Sequence, residues 1–315
     1  MKILVTGGAG FIGSSLAERL VKENHDVTVI DDFSSGDIEN LSSIIDKIDL
    51  CETDCMDKNL LKNKLEEIQV VFHFAANPDA RIEKSSTENT FNRNILLTHK
   101  ILEAVKESNV ERIFFSSTST VYGDTKIIPT PIELGEKLPI SFYGASKLAS
   151  EALLSAYAHI FEKQVTILRL ANVVGGKSNH GITFDFYNKL KKNSSELEIL
   201  GDGKQTKSYL HIDDLVDGLL LLLKKNNHEV VDIYNIGSSD QVTVTRIAEI
   251  IAETMNIRKV KFKFTEGSKD GGGWKGDVTK MLLDNSKIKK LGWDLKYNSE
   301  KAVKRTIEEI LEKRN

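Results

Sequence analysis

Five short apolar runs alternate with helical patterns over the first 170 residues, and this alternation constrains the fold more than any other feature. The runs are Lys2–Thr6, Asp26–Ile30, Val70–Phe74, Arg112–Ser116 and Thr166–Leu170. They are apolar on both faces and rich in β-branched and aromatic residues, as parallel strands covered by helices must be. Between them Ile12–Glu23, Asn59–Glu67, Asn89–Ser108 and Tyr143–Phe161 follow a helical period. Parallel neighbours need crossover helices, and such crossovers are right-handed. The expected fold class is α/β, a doubly wound parallel sheet.

Beyond residue 171 the pattern changes to long polar loops and a lysine-rich helix. Asp213–Lys225 reads as a helix capped by Asp213, Asp232–Ile236 as a strand and Thr243–Met255 as a helix. Lys259–Phe264 reads as a strand and Asn298–Lys313 as a terminal amphipathic helix. The expected division is a first domain over 1–170 and a second, smaller α/β domain over 171–315, with the chain returning to the first around 210–236.

Gly7, Gly10 and Gly13 lie in Gly7-Gly8-Ala9-Gly10-Phe11-Ile12-Gly13, between the first strand and the first helix. The first glycine permits a tight turn and the second lets the backbone approach a pyrophosphate at the helix N-terminus. The third lets helix and strand pack closely. The second strand ends in Asp31, placed to accept from adenosine ribose hydroxyls. This is the dinucleotide signature of a Rossmann domain. A carboxylate there repels a 2′-phosphate, and Phe33-Ser34-Ser35 supplies no arginine to receive one, so NAD is expected over NADP. Asp54 reads equally as an acceptor for the adenine amine and as a turn-former.

Tyr143 and Lys147 stand four apart at a helix start, on one face. A neighbouring ammonium favours phenolate, which is what a tyrosine acid/base needs. Ser116-Ser117-Thr118 ends what reads as the fourth strand, at the carboxyl edge where such sheets bind ligands.

With these residues in view, the chain resembles the extended short-chain dehydrogenase/reductases, specifically their nucleotide-sugar epimerase branch, and most of all the archaeal-type UDP-glucose 4-epimerases. The resemblance runs over nearly the whole length. It is carried by Val5–Gly13, Phe74-Ala75-Ala76-Asn77-Pro78, Thr118–Gly123, Tyr143–Lys147 and Asn172-Val173-Val174-Gly175, then by Gly201-Asp202-Gly203, Ser208–His211 and Trp274-Lys275-Gly276-Asp277. It implies NAD-dependent epimerisation of a nucleotide-diphosphate sugar at carbon 4, UDP-glucose and UDP-galactose above others. In that scheme Tyr143 is the acid/base, Lys147 holds the nicotinamide ribose, and Thr118 occupies the catalytic Ser/Thr position. Gly7, Gly10, Phe11, Ile12, Gly13, Asp31, Asp32, Ser35, Gly36, Asp54, Phe74, Ala75, Ala76 and Asn94 would line the cofactor. Asn172 would meet the sugar diphosphate, and Lys207 stands where many relatives have a diphosphate-binding arginine. A second arginine, common before the last Gly-Asp, is missing: Gly271-Gly272-Gly273-Trp274 fills that stretch, leaving Lys269 or Lys275 to compensate. Met281, four residues after Asp277, occupies the position that gates N-acetylated sugars, and its flexible side chain would favour plain sugars.

Dehydrating and decarboxylating relatives carry carboxylates just after the Ser/Thr position, where this chain has Ser119 and Thr120. A net reductase, an epimerase acting at another position, and a cofactor-binding regulator that has lost activity stay open as alternatives. His73 reads as a satisfied packing residue, while His211 is ambiguous. Cys51 and Cys55 lack the partners of a zinc site, so no metal is expected. The helices around 89–108 and 143–161 carry apolar bands too wide for one buried stripe, and in the resembled family they form a symmetric four-helix dimer interface.

The rest of the composition narrows partners and setting. Basic and acidic residues number 43 and 46, net −3, so no sequence-wide attraction to nucleic acid or an anionic membrane is expected. No apolar run approaches a membrane span, and the opening stretch is too short for a signal peptide. Two cysteines in 315 residues suit a reducing, cytoplasmic setting.

Overall fold

A computed structural model describes residues 1–81, 86–225, 229–268 and 271–313. Its first strands are β1 (Lys2–Thr6), β2 (Asp26–Asp31), β3 (Asp49–Glu52), β4 (Val70–His73), β5 (Arg112–Thr118) and β6 (Gln164–Leu170). The later ones are β7 (Asn172–Val174), β8 (Glu196–Ile199), β9 (Thr206–Lys207), β10 (Tyr209–His211), β11 (Val231–Ile236), β12 (Val242–Thr243), β13 (Lys261–Phe264) and β14 (Lys280–Met281). Helices are α1 (Phe11–Lys22), α2 (Lys58–Leu65), α3 (Thr87–Thr90), α4 (Leu97–Val105), α5 (Phe142–Ile160), α6 (Ile182–Lys192), α7 (Ile212–Lys224), α8 (Val244–Thr254), α9 (Ser286–Lys289) and α10 (Ser299–Glu312).

One sheet orders seven strands β3-β2-β1-β4-β5-β6-β11. The pairs from β3 across to β5 are parallel. The order reverses beside β1, the switch point at which such sheets open a crevice at their carboxyl ends. Ile3, Leu4 and Val5 are wholly buried, as two covered faces require. On one face Leu4, Ile30, Val71, Ile113 and Phe115 pack with Leu61 of α2, Ile101 and Val105 of α4, and Leu154 and Ala158 of α5.

The chain forms two compact units. One holds 1–121, 142–169 and 224–234; the other holds 122–141, 170–223 and 235–315. Residues 122–141, which the sequence reading placed in the first domain, group with the second unit. The reason is visible there: Tyr122 Oη donates to Asn235 Oδ1 at 2.8 Å and the Thr130 amide to Leu282 O at 2.8 Å. The core of that unit joins Phe186 and Leu190 of α6, Leu197 and Ile199 of β8, Ile247 and Ile251 of α8, and Val303 and Ile307 of α10. Thr243 caps α8 and Asn298 caps α10, each side-chain oxygen accepting an amide of the first turn.

Three further differences from the sequence have local causes. Strand β3 escaped notice because it is a half-exposed edge with little apolar signal. The pattern over 89–108 is not one helix: α3 and α4 are joined by a π-turn over Phe91–Leu96. Asp213 is not a cap, because α7 begins at Ile212 and takes Asp213 into its first turn. Among the described residues no helix is long and apolar enough to cross a membrane.

His211, at the end of β10, is fully buried between two carboxylates. Nδ1 lies 3.5 Å from Asp213 Oδ2 and Nε2 lies 3.4 Å from Glu309 Oε1 on α10. Burial pushes its pKa down, but the nearby Asp213 and Glu309 carboxylates outweigh it and raise it to about 9. An imidazolium held this way stabilises the fold fully below the unfolded pKa near 6.5, and the contribution is lost as pH rises through 9. Unfolding free energy measured in urea should therefore fall between these pH values by roughly 1–3 kcal/mol. His211→Gln should flatten that slope.

Candidate active site

Strand β1 delivers the chain into the glycine loop, where the backbone is crowded enough to exclude side chains. Gly7 has φ +68°, and a Cβ there would sit 2.7 Å from the Ala75 amide nitrogen. A Cβ on Gly13 would lie 2.2 Å from Gly7 O. Gly10 differs, since a Cβ there would meet only Gly7 O, at 3.2 Å, and would otherwise fill the cradle itself. Gly10 is also the N-cap of α1 and offers no side-chain cap, so the first-turn amides are left for an anion.

Asp31 pins this loop. Oδ2 accepts the Ala9 amide at 2.8 Å and Oδ1 the Phe33 amide at 2.9 Å. Burial raises its pKa, and the two amides oppose that. A Cβ on Gly36 would come within 2.9 Å of Asp31 Oδ1, so glycine there admits the carboxylate. Asp32 accepts from the Ser34 amide and hydroxyl. Asp54 does form a turn, with Oδ1 accepting the Met56 amide at 3.0 Å. Its other oxygen meets Arg93, whose Nη1 lies 2.8 Å from Asp54 Oδ2 and 3.2 Å from Asp32 Oδ2. Arg93 was not found from sequence, because it comes from the π-turn, far along the chain. Phe11, Ile12, Phe74, Ala75 and Ala76 are part-exposed around the loop or just after β4, and Ser35 is exposed.

A buried hydrogen-bond chain ties that neighbour to the tyrosine helix. The Ala75 amide donates to Thr6 Oγ1, which pairs with His73 Nδ1 at 2.9 Å. His73 Nε2 pairs with Thr98 Oγ1 at 3.1 Å, and that hydroxyl donates to Asn94 O at 2.6 Å. Thr98 has spent its proton, so His73 carries hydrogen on Nε2 and accepts at Nδ1. Burial, helped by the Lys147 charge, pushes His73 down to about 3, so it stays neutral, a satisfied packing residue. Asn94 itself sits in the π-turn, accepting the Asn77 amide at 2.8 Å and donating to Ser146 Oγ at 2.8 Å.

Tyr143, Lys147 and Thr118 come together. Lys147 is 2% exposed, with Nζ donating to Ser116 O at 2.8 Å and lying 4.7 Å from the Phe115 ring centre. It is 6.0 Å from the Tyr143 ring centre. Burial drives Lys147 down to about 7 against the pull of Glu151. Tyr143 is pushed up to about 12 by burial, and its bond with Thr118 opposes the rise. The lowering expected from the ammonium is therefore outweighed in the chain by itself. Thr118 Oγ1 accepts from the Thr120 amide and hydroxyl, both at 3.2 Å, which leaves its own proton for Tyr143.

In the second unit, Asn172 begins β7 and reaches Ser208 O at 3.4 Å. Lys207 already has a partner, with Nζ 2.5 Å from Asp277 Oδ1 and 5.3 Å from the Trp274 ring centre. Met281 is buried in β14 and pairs in register with Lys207. Lys275 is exposed, and Lys269 lies outside the described residues.

The glycine cradle, the uncapped amides of α1 and the acids closing β2 fit a dinucleotide with its pyrophosphate on the loop. Gly13→Ala should clash with Gly7 O and lower NAD affinity at least about tenfold, an order expected for a lost backbone approach. Fluorescence titration of cofactor-free protein would check it.

The comparisons agree with this geometry. Residues 3–237 match the model of the NAD dependent epimerase/dehydratase family. A putative UDP-glucose 4-epimerase of Methanocaldococcus jannaschii is 31% identical, over 97% of each chain. A crystal structure of a UDP-galactose 4-epimerase is 38% identical with TM-score 0.89, covering 99% of both chains. The Thermotoga maritima UDP-glucose 4-epimerase, solved with UDP-glucose, is 31% identical with TM-score 0.89 over 100% of both. The Rossmann sheet, its glycine loop and these matches place the chain in the NAD dependent epimerase/dehydratase family.

Proposed function

We propose that the protein epimerises a nucleotide-diphosphate sugar at carbon 4, with UDP-glucose and UDP-galactose as the natural pair. The observation that carries this reading is buried Lys147, its Nζ donating to Ser116 O at the end of β5, one turn along α5 from Tyr143. Tyr143 Oη takes the proton of the 4-hydroxyl and later returns it. Lys147 holds the cofactor ribose and favours the phenolate by its charge. Thr118 orients the reacting oxygen. When bound on the glycine loop, NAD would supply reversible hydride chemistry at carbon 4 and would not be consumed. Asn172 and Lys207 contact the diphosphate. Ser119 and Thr120, which follow Thr118, offer no carboxylic acid for dehydration or decarboxylation.

The active form is a homodimer through α4 and α5. Supporting this, Ala145, Ala152, Ala156 and Ile160 of α5 are exposed although apolar, and Leu148, Ala149 and Leu153 are only half-buried. Small residues in such a row let a second helix approach closely. The cytoplasm remains the natural setting, since Cys51 and Cys55 are free thiols.

Purified protein should interconvert UDP-glucose and UDP-galactose without added NAD. In deuterated water no deuterium should enter carbon 4, because the hydrogen moves as hydride. Tyr143→Phe should lower turnover about 10²–10⁴-fold while NAD stays bound. Near-normal turnover by this variant, or deuterium at carbon 4, would refute the assignment. For the dimer, Ala152→Glu should shift sedimentation from two chains to one, with melting temperature reporting any loss of fold.

A further inference from the structure

Three carboxylates gather at the carboxyl ends of β2 and β3. Asp31 closes β2, Asp32 follows it, and Asp54 comes just after β3, which runs parallel to β2 with Glu52 opposite Asp31. Asp31 holds the Ala9 and Phe33 amides. Asp32 and Asp54 converge instead on one nitrogen, with Arg93 Nη1 at 3.2 Å from Asp32 Oδ2 and at 2.8 Å from Asp54 Oδ2. The second oxygen of each is fixed by an amide, Ser34 for Asp32 and Met56 for Asp54, so both carboxylates are aimed. Burial would raise the Asp32 pKa, yet the Ser34 bonds and the Arg93 charge hold it below the usual carboxylate range.

The π-turn puts Arg93 there. Its neighbour Asn94 is 2% exposed and faces inward, accepting the Asn77 amide and donating to Asn77 O and Ser146 Oγ. Arg93, one residue earlier, reaches outward to the acids with 37% of its side chain exposed. An exposed pair of one cation and one acid contributes little. Here one guanidinium serves two acids from separate strand ends, and without it two carboxylates at such a distance repel each other. Arg93 also cancels one of three negative charges at the edge where the adenosine ribose is expected. NAD brings a neutral ribose to such an edge, and NADP brings the same ribose with a 2′-phosphate.

We propose that Arg93 is a positioning and specificity-determining residue for the adenosine end of the cofactor: paired with Asp32 and Asp54, it holds the acid edge together and moderates its repulsion of a 2′-phosphate. This rests on the reading of Asp31, Asp32 and Asp54 as that edge. The preference for NAD is then narrower than three unopposed carboxylates would make it. The sign differs from that of simple damage, because a distorted cleft weakens both cofactors together whereas a lost positive charge weakens NADP more.

The test is calorimetric titration of the full chain, freed of cofactor, with NAD and with NADP. Arg93→Gln should widen the ratio of the two dissociation constants in favour of NAD by about tenfold, the order expected for one charge removed near a phosphate. The widening should be larger at low salt than at high. Arg93→Lys keeps the charge and should keep the ratio. Asp54→Asn releases Arg93 from one acid and should narrow it. Arg93→Gln/Asp54→Asn should bring it back toward the starting value, even where Arg93→Gln alone folds poorly. If NADP binds too weakly to titrate, the same series is run on Asp31→Asn, which should admit the 2′-phosphate more readily. Equal losses for both cofactors, or a ratio that Arg93→Gln leaves unchanged or narrows, would overturn the proposal. Asp31→Asn also separates it from the reading beneath it. A ratio that narrows there but ignores Arg93→Gln removes Arg93 alone, whereas a ratio that ignores both removes the acid edge as the adenosine site.

Discussion

The contact between α5 and the end of β5 is the constraint from which the chemistry of this protein follows. A helix and a strand repeat their side chains at different spacings, so three consecutive turns do not find partners on three consecutive strand residues by backbone contact alone. Here Tyr143, Lys147 and Glu151 descend the helix while Thr118, Ser116 and Ser117 receive them. Lys147 takes a carbonyl and the other two take hydroxyls. Mixing backbone and side-chain acceptors lets one strand end serve three turns, and it fixes the height of Tyr143 above the sheet.

Burial around this contact acts on buried Lys147 and part-exposed Tyr143 in opposite senses. Burial disfavours the charged form of each, so the ammonium of Lys147 is weakened and the phenolate of Tyr143 is resisted. In the proposed acid/base role, a Tyr143 that is neutral in the free chain would be brought into range by positive charge arriving with its ligands. The neutral network from Thr6 through His73 and Thr98 to Asn94 adds rigidity next to this site without adding charge.

Periodicity revealed the sheet and its glycine loop because those depend on backbone geometry, which residue type reports directly. The positions of β1, β2, β4, β5 and β6 and the turn at Gly7–Gly13 were legible in this way. What was not legible depends on tertiary placement. Arg93 carries no local signature, yet the π-turn sets it against Asp32 and Asp54. Glu151 looked like one more helix acid until Arg169 arrived from another strand. The apolar residues over 89–108 did not by themselves separate a π-turn at Phe91–Leu96 from regular helix. Residues 122–141 hold three of the chain's four prolines, which mark a loop without saying which unit it joins; their bonds to Asn235 and Leu282 tie them to the second unit.

The pairing of Lys207 alters how its role must be understood. A lysine standing where an arginine is common loses the planar fork that can serve two acceptors at once. In this chain its side chain is 15% exposed and its ammonium already donates to Asp277, whose other oxygen accepts the Gly273 amide. An incoming diphosphate would therefore meet a dipole of Lys207 and Asp277 rather than a free cation. Attraction at long range is correspondingly weak, whereas a short contact to one ammonium hydrogen keeps its directional value. Asp277, held from the Gly271–Trp274 stretch, then does more than neutralise: it fixes the direction in which Lys207 points. The glycines that replace the second arginine make that possible, since a Cβ on Gly272 would lie 3.2 Å from the Asp277 side chain. The loss of one cation and the orientation of the other are two consequences of the same short stretch of chain.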